Sequence, residues 1–331
     1  MEKRSIRSEL RKDSYYRLMG ICPRVAFVQP SQGFTFVKSV AMRFSIIVPV
    51  FNCEPFLGKC IAALKNLDYP RDQYEILFVD NNSTDRSFEI LSAATGIRIM
   101  HEPTQGSYAA RNRALKEARG DIVAFTDSDC APSRGWLRAA ERALEVPGCQ
   151  AVLGRRRPRS EKGLMRLLAD YECTKDEYVL SSSEPSLYYG YTNNMAVRRD
   201  SFEQCGLFDL RARGSDTLFI QKIIAWAGCA SVIYSVDMIV AHLEMSLARD
   251  YLRKVFIYGR SQQAYRQIGG TRALETRERI AIWHKTAQLR RYKFHERTAL
   301  FLALAGGLVA WNLGSLVAQS KNSLAGSPRI G

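Results

Sequence analysis

From Phe44 onward, short apolar runs alternate with stretches whose apolar positions recur every three to four residues, the pattern of repeated β-α-β units. Phe44-Ser-Ile-Ile-Val-Pro-Val50 reads as a buried strand and Glu54–Asn66 as the helix after it. Tyr74-Glu-Ile-Leu-Phe-Val-Asp80 is a second strand, and Ser83 or Thr84 is placed to cap a helix running to Ala94. Ile97–His101 makes a short third strand, Ser107–Arg119 a helix closed by Gly120, and Asp121–Thr126 a fourth strand. Four strands joined by three helices predict a parallel, doubly wound sheet.

Beyond Asp129 the pattern loosens. Gln150–Gly154 and Tyr188–Val197 read as extended, Gly163–Leu180 and Ser215–Gly228 as helices, and Ala230–Tyr234 and Met238–Ala241 as two strands. After Ser246 only helices are expected, over 246–268 and 274–296, followed by Thr298–Ser320, 23 residues without a charge. That run just suffices to span a bilayer, and it equally suits a helix lying in the interface or a buried C-terminal helix.

Charge sharpens this division. Residues 1–42 hold 8 Lys/Arg and 3 acids, residues 43–245 hold 25 and 26, and residues 246–331 hold 15 and 4. A neutral centre between basic flanks fits attachment to an anionic membrane surface better than nucleic-acid binding, which spreads basic residues over the working face. The resulting expectation is an N-terminal arm (1–42), a main domain (43–245), a basic helical extension (246–297) and an apolar membrane-associated segment (298–320). The 1–42 arm is uninformative, although 21–40 is apolar enough to pack somewhere. Met1–Asp13 is charged and no apolar h-region of a secretory signal follows. The 8 cysteines show no metal-binding spacing and read as small buried thiols in a reducing compartment.

The stretch Ile122-Val-Ala-Phe-Thr-Asp127-Ser-Asp129 ends an apolar strand in two carboxylates one residue apart. Asp-Ser-Asp is ordinary turn chemistry, but two neighbouring carboxylates beside an apolar strand also suit a divalent ion that carries phosphate oxygens. The first strand is followed by Pro49-Val-Phe-Asn52, which is no dinucleotide or P-loop glycine motif, and the isolated His-Glu at 295–296 is no metalloprotease site.

Six pieces occur in order: Ser45-Ile-Ile-Val-Pro-Val-Phe-Asn52, Val79-Asp80-Asn-Asn-Ser-Thr-Asp85, Gly106-Ser-Tyr-Ala-Ala-Arg111-Asn112, Ala124-Phe-Thr-Asp127-Ser-Asp129-Cys, Asn193-Asn194-Met-Ala-Val-Arg198, and Gly206-Leu-Phe-Asp209 with Gly214-Ser-Asp216. Together they resemble glycosyltransferase family 2, over about residues 43–245. The resemblance implies a GT-A α/β fold with a doubly wound, mostly parallel sheet, here with a helical C-terminal extension. It implies inverting transfer of a sugar from a nucleotide-diphosphate donor to an acceptor hydroxyl on a glycan, lipid-linked or cell-envelope molecule; the neutral core is expected at the cytoplasmic face of the membrane, where nucleotide sugars are made, held there by residues 246–331. Pro49, Asn52, Asp80, Asn81, Arg111 and Asp127 would contact the nucleotide sugar. Asp129, Asp127 and His242 would hold Mn²⁺ or Mg²⁺, Asp216 would be the general base, and Asn193 and Asn194 would line the acceptor pocket.

Two departures from the family pattern stand out. Asn81 replaces a frequent second Asp, and Ser215 precedes Asp216 where an acidic pair is usual. Asp85, in the first helical turn, suits a helix-dipole role as well as a contact. The alternatives are a sugar nucleotidyltransferase, for which the loop after the first strand lacks glycines, and a non-catalytic binding protein on the same fold.

Overall fold

The computed structural model describes residues 42–325, apart from 160, 212, 246 and 261–270. The N-terminal arm, including the apolar run 21–40, and the last part of the helix expected over 246–268 lie outside the described residues.

Four strands make the first half: β1 (Phe44–Val50), β2 (Tyr74–Asp80), β3 (Arg98–His101) and β4 (Ile122–Thr126). They lie in the order β3-β2-β1-β4, all parallel. The helices α1 (Glu54–Lys65), α2 (Ser87–Ser92) and α3 (Ser107–Leu115) connect them. Every residue of β1 and β2 is buried, because helices cover both faces of the sheet. Alternation sends Ile46 and Val48 to a core with Leu57, Leu64 and Trp136, and Ile47 to one with Leu77, Phe125 and Phe219.

The capping expected of Ser83 or Thr84 is not made: Arg86 stands at the N-cap of α2 without a side-chain cap bond, and the Ser87 amide donates to Asp85 Oδ1 at 2.9 Å. Asp85 precedes α2 rather than opening its first turn. Gly120 does not close α3, which stops at Leu115. Its real constraint is contact: a Cβ there would lie 2.5 Å from the Phe44 carbonyl carbon and the Ser45 nitrogen.

The second half adds β5 (Cys130–Pro132), α4 (Trp136–Leu144), β6 (Ala151–Pro158), α5 (Gly163–Leu180), β7 (Asn194–Arg198), α6 (Asp200–Cys205), α7 (Ser215–Ala227) and β8 (Val232–His242). β7 runs antiparallel between β4 and β6, β6 pairs parallel with β8, and β5 pairs antiparallel with β8. The two strands expected over 230–241 are one 11-residue strand. The polar break that separated them is a register shift opposite Gly154 and Arg155. Seven cysteines among the described residues are free thiols, five of them buried.

Among the described residues three helices follow: α8 (Ala248–Arg260), α9 (Thr276–Leu289) and α10 (Phe294–Ala325). The helix expected to 296 breaks at Arg291, which adopts a positive φ of 52°. The boundary expected at 297/298 falls inside α10. α8 and α10 cross backbone to backbone: a Cβ on Gly259 would lie 2.1 Å from the Trp311 carbonyl oxygen, and one on Gly314 would lie 2.2 Å from that of Phe256. Leu300 is fully buried with Met165, Tyr171, Ile282 and Tyr292. The opposite side of α10 exposes Phe301, Leu302, Leu308, Val309, Leu313 and Leu316. It is the one helix among the described residues long and apolar enough to cross a membrane.

Candidate active site

The carboxyl ends of β1, β2 and β4 form one edge, where open α/β sheets bind ligands. At β1, pairing to β4 stops at Ile47, so the missing N–H of Pro49 costs β4 no ladder bond. The chain then turns through Asn52, whose φ of 47° lies in the left-handed region that Asn tolerates. Asn52 Oδ1 accepts the backbone amides of Thr84 at 2.8 Å and Asp85 at 3.3 Å. Asp85 Oδ2 answers by accepting the Glu54 amide at 3.0 Å. Burial opposes its charge, but these donors with Ser87 outweigh it and hold the Asp85 carboxyl below its ordinary range. Both of its oxygens serve the scaffold, so Asp85 is a strut of the edge.

At β2 the two neighbours divide. Asp80 is buried, with Oδ2 3.6 Å from His101 Nδ1 and Oδ1 without any partner. Asn81 is fully engaged: Nδ2 donates to the carbonyls of Glu102 (2.7 Å) and Thr104 (2.8 Å), and Oδ1 accepts the Gly106 amide (2.7 Å). The expected nucleotide contact of the Asn81 side chain gives way to this bracket, which holds the loop leading into α3.

α3 carries Arg111, only 3 % exposed, whose Nη2 donates to Asp127 Oδ1 at 2.5 Å. Its Nε has no partner, and the Tyr108 ring lies 5.6 Å from the guanidinium carbon. After β4 the chain turns back into β5, and the register Cys130↔His242 brings the far end of β8 beside the aspartates. Asp129 Oδ2 lies 3.4 Å from His242 Nδ1, and the Cys130 thiol donates to Asp129 Oδ1 at 3.4 Å. Asp129, Cys130 and His242 converge, their ligand atoms all within 4.8 Å. Asp127 stands outside that trio, tied to Arg111. Burial raises the Asp127 and Asp129 carboxyls against the pull of Arg111 on the first and Lys254 on the second. Burial also pushes the Cys130 thiol well up, which keeps it protonated.

Across the edge, α7 begins at Ser215 after Gly214 in the left-handed conformation. Asp216 Oδ1 accepts the Thr217 amide at 2.9 Å, while the Tyr108 hydroxyl and the Thr192 backbone also face the carboxylate. Burial raises the Asp216 pKa despite these bonds and nearby Arg111. Gly190 admits this approach, since a Cβ there would fall 2.4 Å from the Asp216 carbonyl oxygen. Asn193 lies at the same edge, its carbonyl accepting from Thr126 Oγ1 at 3.1 Å and its Oδ1 buried without a partner.

Asn194 faces the other way and corrects an expectation. It is fully buried; Oδ1 accepts from Trp136 Nε1 at 2.8 Å and Nδ2 donates to the carbonyls of Met238 (2.8 Å) and Arg155 (2.9 Å). It pins β6 and β8 to α4 and has nothing left for an acceptor.

Three residues at the edge escaped sequence reasoning. Tyr108 faces Asp216, Arg156 stacks on Tyr191 at 3.8 Å, and Lys254 Nζ sits 2.8 Å from His242 Nε2. The Gly-Ser-Tyr-Ala-Ala-Arg run held a signal for Tyr108, one helical turn before Arg111. Nothing in the spacing of Lys254 tied it to His242.

Comparison with known proteins agrees with this geometry. The family model for Glycosyl transferase family 2 matches residues 45–206. Glycosyltransferase AglE of Haloferax volcanii is 30% identical over 223 residues, which cover 66% of this chain and 72% of that protein. Among solved structures, the mannosyltransferase PcManGT of Pyrobaculum calidifontis, in complex with GDP-Man and Mn²⁺, superposes with a TM-score of 0.52 at 24% identity, over 86% of this chain and 79% of that one. S. aureus TarS 1-349 in complex with UDP gives 0.51 at 19% identity, over 81% of each chain. The family model, the likeness to AglE and the shared fold agree: this chain belongs to glycosyltransferase family 2 and is a glycosyltransferase of GT-A fold.

Proposed function

We propose that the protein transfers a sugar, with inversion and with help from Mn²⁺ or Mg²⁺, from a nucleotide-diphosphate donor to a hydroxyl of an acceptor met at the cytoplasmic face of the membrane. The observation that carries this reading is the convergence of Asp129 and His242 beside the Arg111–Asp127 pair, with Asp216 across the edge. The donor set fits a hard divalent ion. It offers carboxylate oxygens and one imidazole, and His242 Nδ1 is buried without a hydrogen-bond partner. Such an ion supplies Lewis-acid stabilisation of the departing diphosphate.

The chain's own residues do the rest. Asp80 Oδ1, a buried acceptor lacking a donor, suits a base N–H or a ribose hydroxyl. Arg111 spends one arm on Asp127 and keeps others for donor oxygens. The acceptor oxygen bonds to the anomeric carbon as the carbon–oxygen bond to the diphosphate breaks, and the electron pair leaves with the phosphate. Asp216 takes the acceptor proton, and its raised pKa makes it a stronger base. Asn193, on the same edge, is the remaining acceptor contact of the expected pair.

Membrane contact is supported by the uncharged exposed side of α10 and by the basic residues Arg249, Arg253, Arg290 and Arg291 on neighbouring elements. Purified full-length chain, incubated with a panel of nucleotide sugars and acceptors in Mn²⁺ or Mg²⁺, tests the reading. Transfer from one donor, abolished by EDTA and restored by either ion, is expected. Undiminished transfer in EDTA overturns the metal's part in it.

A further inference from the structure

Lys254 stands on α8, outside every motif that marks the family resemblance, yet its Nζ lies 2.8 Å from His242 Nε2 and 3.1 Å from Glu244 Oε2. An ammonium has three donors and no acceptor, so Nε2 must turn a lone pair toward it. That assigns the proton of the neutral ring to Nδ1, facing Asp129 at 3.4 Å.

A metal needs one ring lone pair. If it binds Nδ1, the ring proton moves to Nε2 and confronts the ammonium, donor against donor. If it binds Nε2, it takes the lone pair that Lys254 uses. Either way the 2.8 Å contact cannot survive. Lys254 and a divalent ion are rivals for one histidine.

We propose that Lys254 is a displaceable cation of the metal site: it neutralises Asp129 and engages His242 until a divalent ion takes its place, and then turns to the donor diphosphate. This rests on the reading that Asp129 and His242 hold the metal. Three observations support the second half of the motion. Lys254 touches the ring whose other nitrogen lies 3.4 Å from Asp129 Oδ2, so it already lies within electrostatic reach of the site. Its side chain is 26% exposed on a flexible stem, free to change partner. A diphosphate adds negative charge to a site that already holds Asp127, Asp129 and Glu244 against Arg111 and Lys254. Because α8 locks to α10 at Gly259 and Gly314, this cation rides on the helix pair proposed to meet the membrane.

The test measures metal binding apart from turnover. Mn²⁺ is titrated into detergent-solubilised full-length wild type, Lys254→Met and Asp129→Asn without nucleotide, with free Mn²⁺ read by electron paramagnetic resonance. UDP and GDP are then titrated at saturating Mn²⁺. Lys254→Met is expected to bind Mn²⁺ roughly tenfold tighter, since a rival unit charge is gone, and the preferred nucleotide roughly tenfold weaker. A merely structural lysine would not move the two affinities in opposite directions. Unchanged or weaker Mn²⁺ binding by a cooperatively melting Lys254→Met protein overturns the inference, and Lys254→Gln replaces it if the Met variant does not fold. Wild type that binds no Mn²⁺, or Asp129→Asn that binds it equally, overturns the metal reading instead.

Discussion

Arg111 reaches across from α3 to Asp127 at the end of β4, its Nη2 2.5 Å from Oδ1, so α3 and the aspartate motif are joined by one charge-assisted bond. The bond is directional because the guanidinium is planar and nearly excluded from solvent. Arg111→Lys keeps the charge but loses the fork, and an ammonium cannot serve Asp127 and a donor oxygen in the same plane. We expect kcat/KM to fall by roughly 10²-fold with the melting temperature little changed. A loss below about threefold would show that Arg111 only neutralises Asp127.

Asp216→Asn preserves shape and removes basicity. Turnover should drop by roughly 10²-fold or more while donor affinity, read by calorimetry with nucleoside diphosphate and metal, stays within a factor of about three. Equal losses in both would assign Asp216 to donor binding, and normal turnover would move the base elsewhere.

The exposed side of α10 can be altered without touching the core that holds Leu300. Leu302, Val309 and Leu316 are 64%, 59% and 59% exposed. Replacing all three by Asp should leave folding intact and release the protein from membranes, whereas wild type should stay in the pellet through a high-salt wash. A triple variant that still sediments with lipid places the anchor elsewhere, and wild type that is soluble and monomeric without detergent removes the membrane reading.

Glu75 gives the first half of the sheet an acid limit. Its burial favours the neutral acid, yet the Ser45 hydroxyl, Arg98 guanidinium and Arg119 amide outweigh this and lower its pKa from the usual 4.5. A carboxyl depressed in the fold stabilises it above pH 4.5, and the stabilisation fades as pH falls through the folded value. Glu75→Gln should therefore cost ~1–3 kcal/mol in urea melts at pH 7, and less near about pH 3.5. A cost that grows on acidification would contradict this.

The first half of the fold was legible because local pattern and tertiary role coincide there. Fully buried parallel strands such as β1 and β2 read as continuous apolar runs, and their bounds match the expected ones residue for residue. The second half was harder: Tyr188–Val197 looked extended throughout, yet only Asn194–Arg198 pairs as strand, and the bulge in β8 looked like a gap. Among candidate site residues, Asp127, Asp129, His242, Arg111 and Asp216 assemble at one edge. Asn81 and Asn194 show the limit of reading single letters. A polar residue at a strand end satisfies a loop or a ladder as readily as a ligand, and only hydrogen-bond partners distinguish the cases. Lys254 was out of reach for another reason, since its neighbour His242 lies twelve positions away and is brought to it by tertiary packing.

Gly120 works as a gauge of zero thickness. Nothing but hydrogen separates its α-carbon from the backbone of Phe44 and Ser45, and Ser45 Oγ accepts its amide at 2.9 Å. The seam between β1 and the entry to β4 is therefore levelled at the end of the sheet farthest from the chemistry. β2 and β4 both flank β1, so the heights at which Asp80 and Asp127 emerge are measured from that common datum. A single methyl at position 120 would lift one strand against the other, and the two carboxylates would no longer emerge at matched heights. The alignment of the working edge is thus set by a glycine just before β4, at the opposite rim of the sheet.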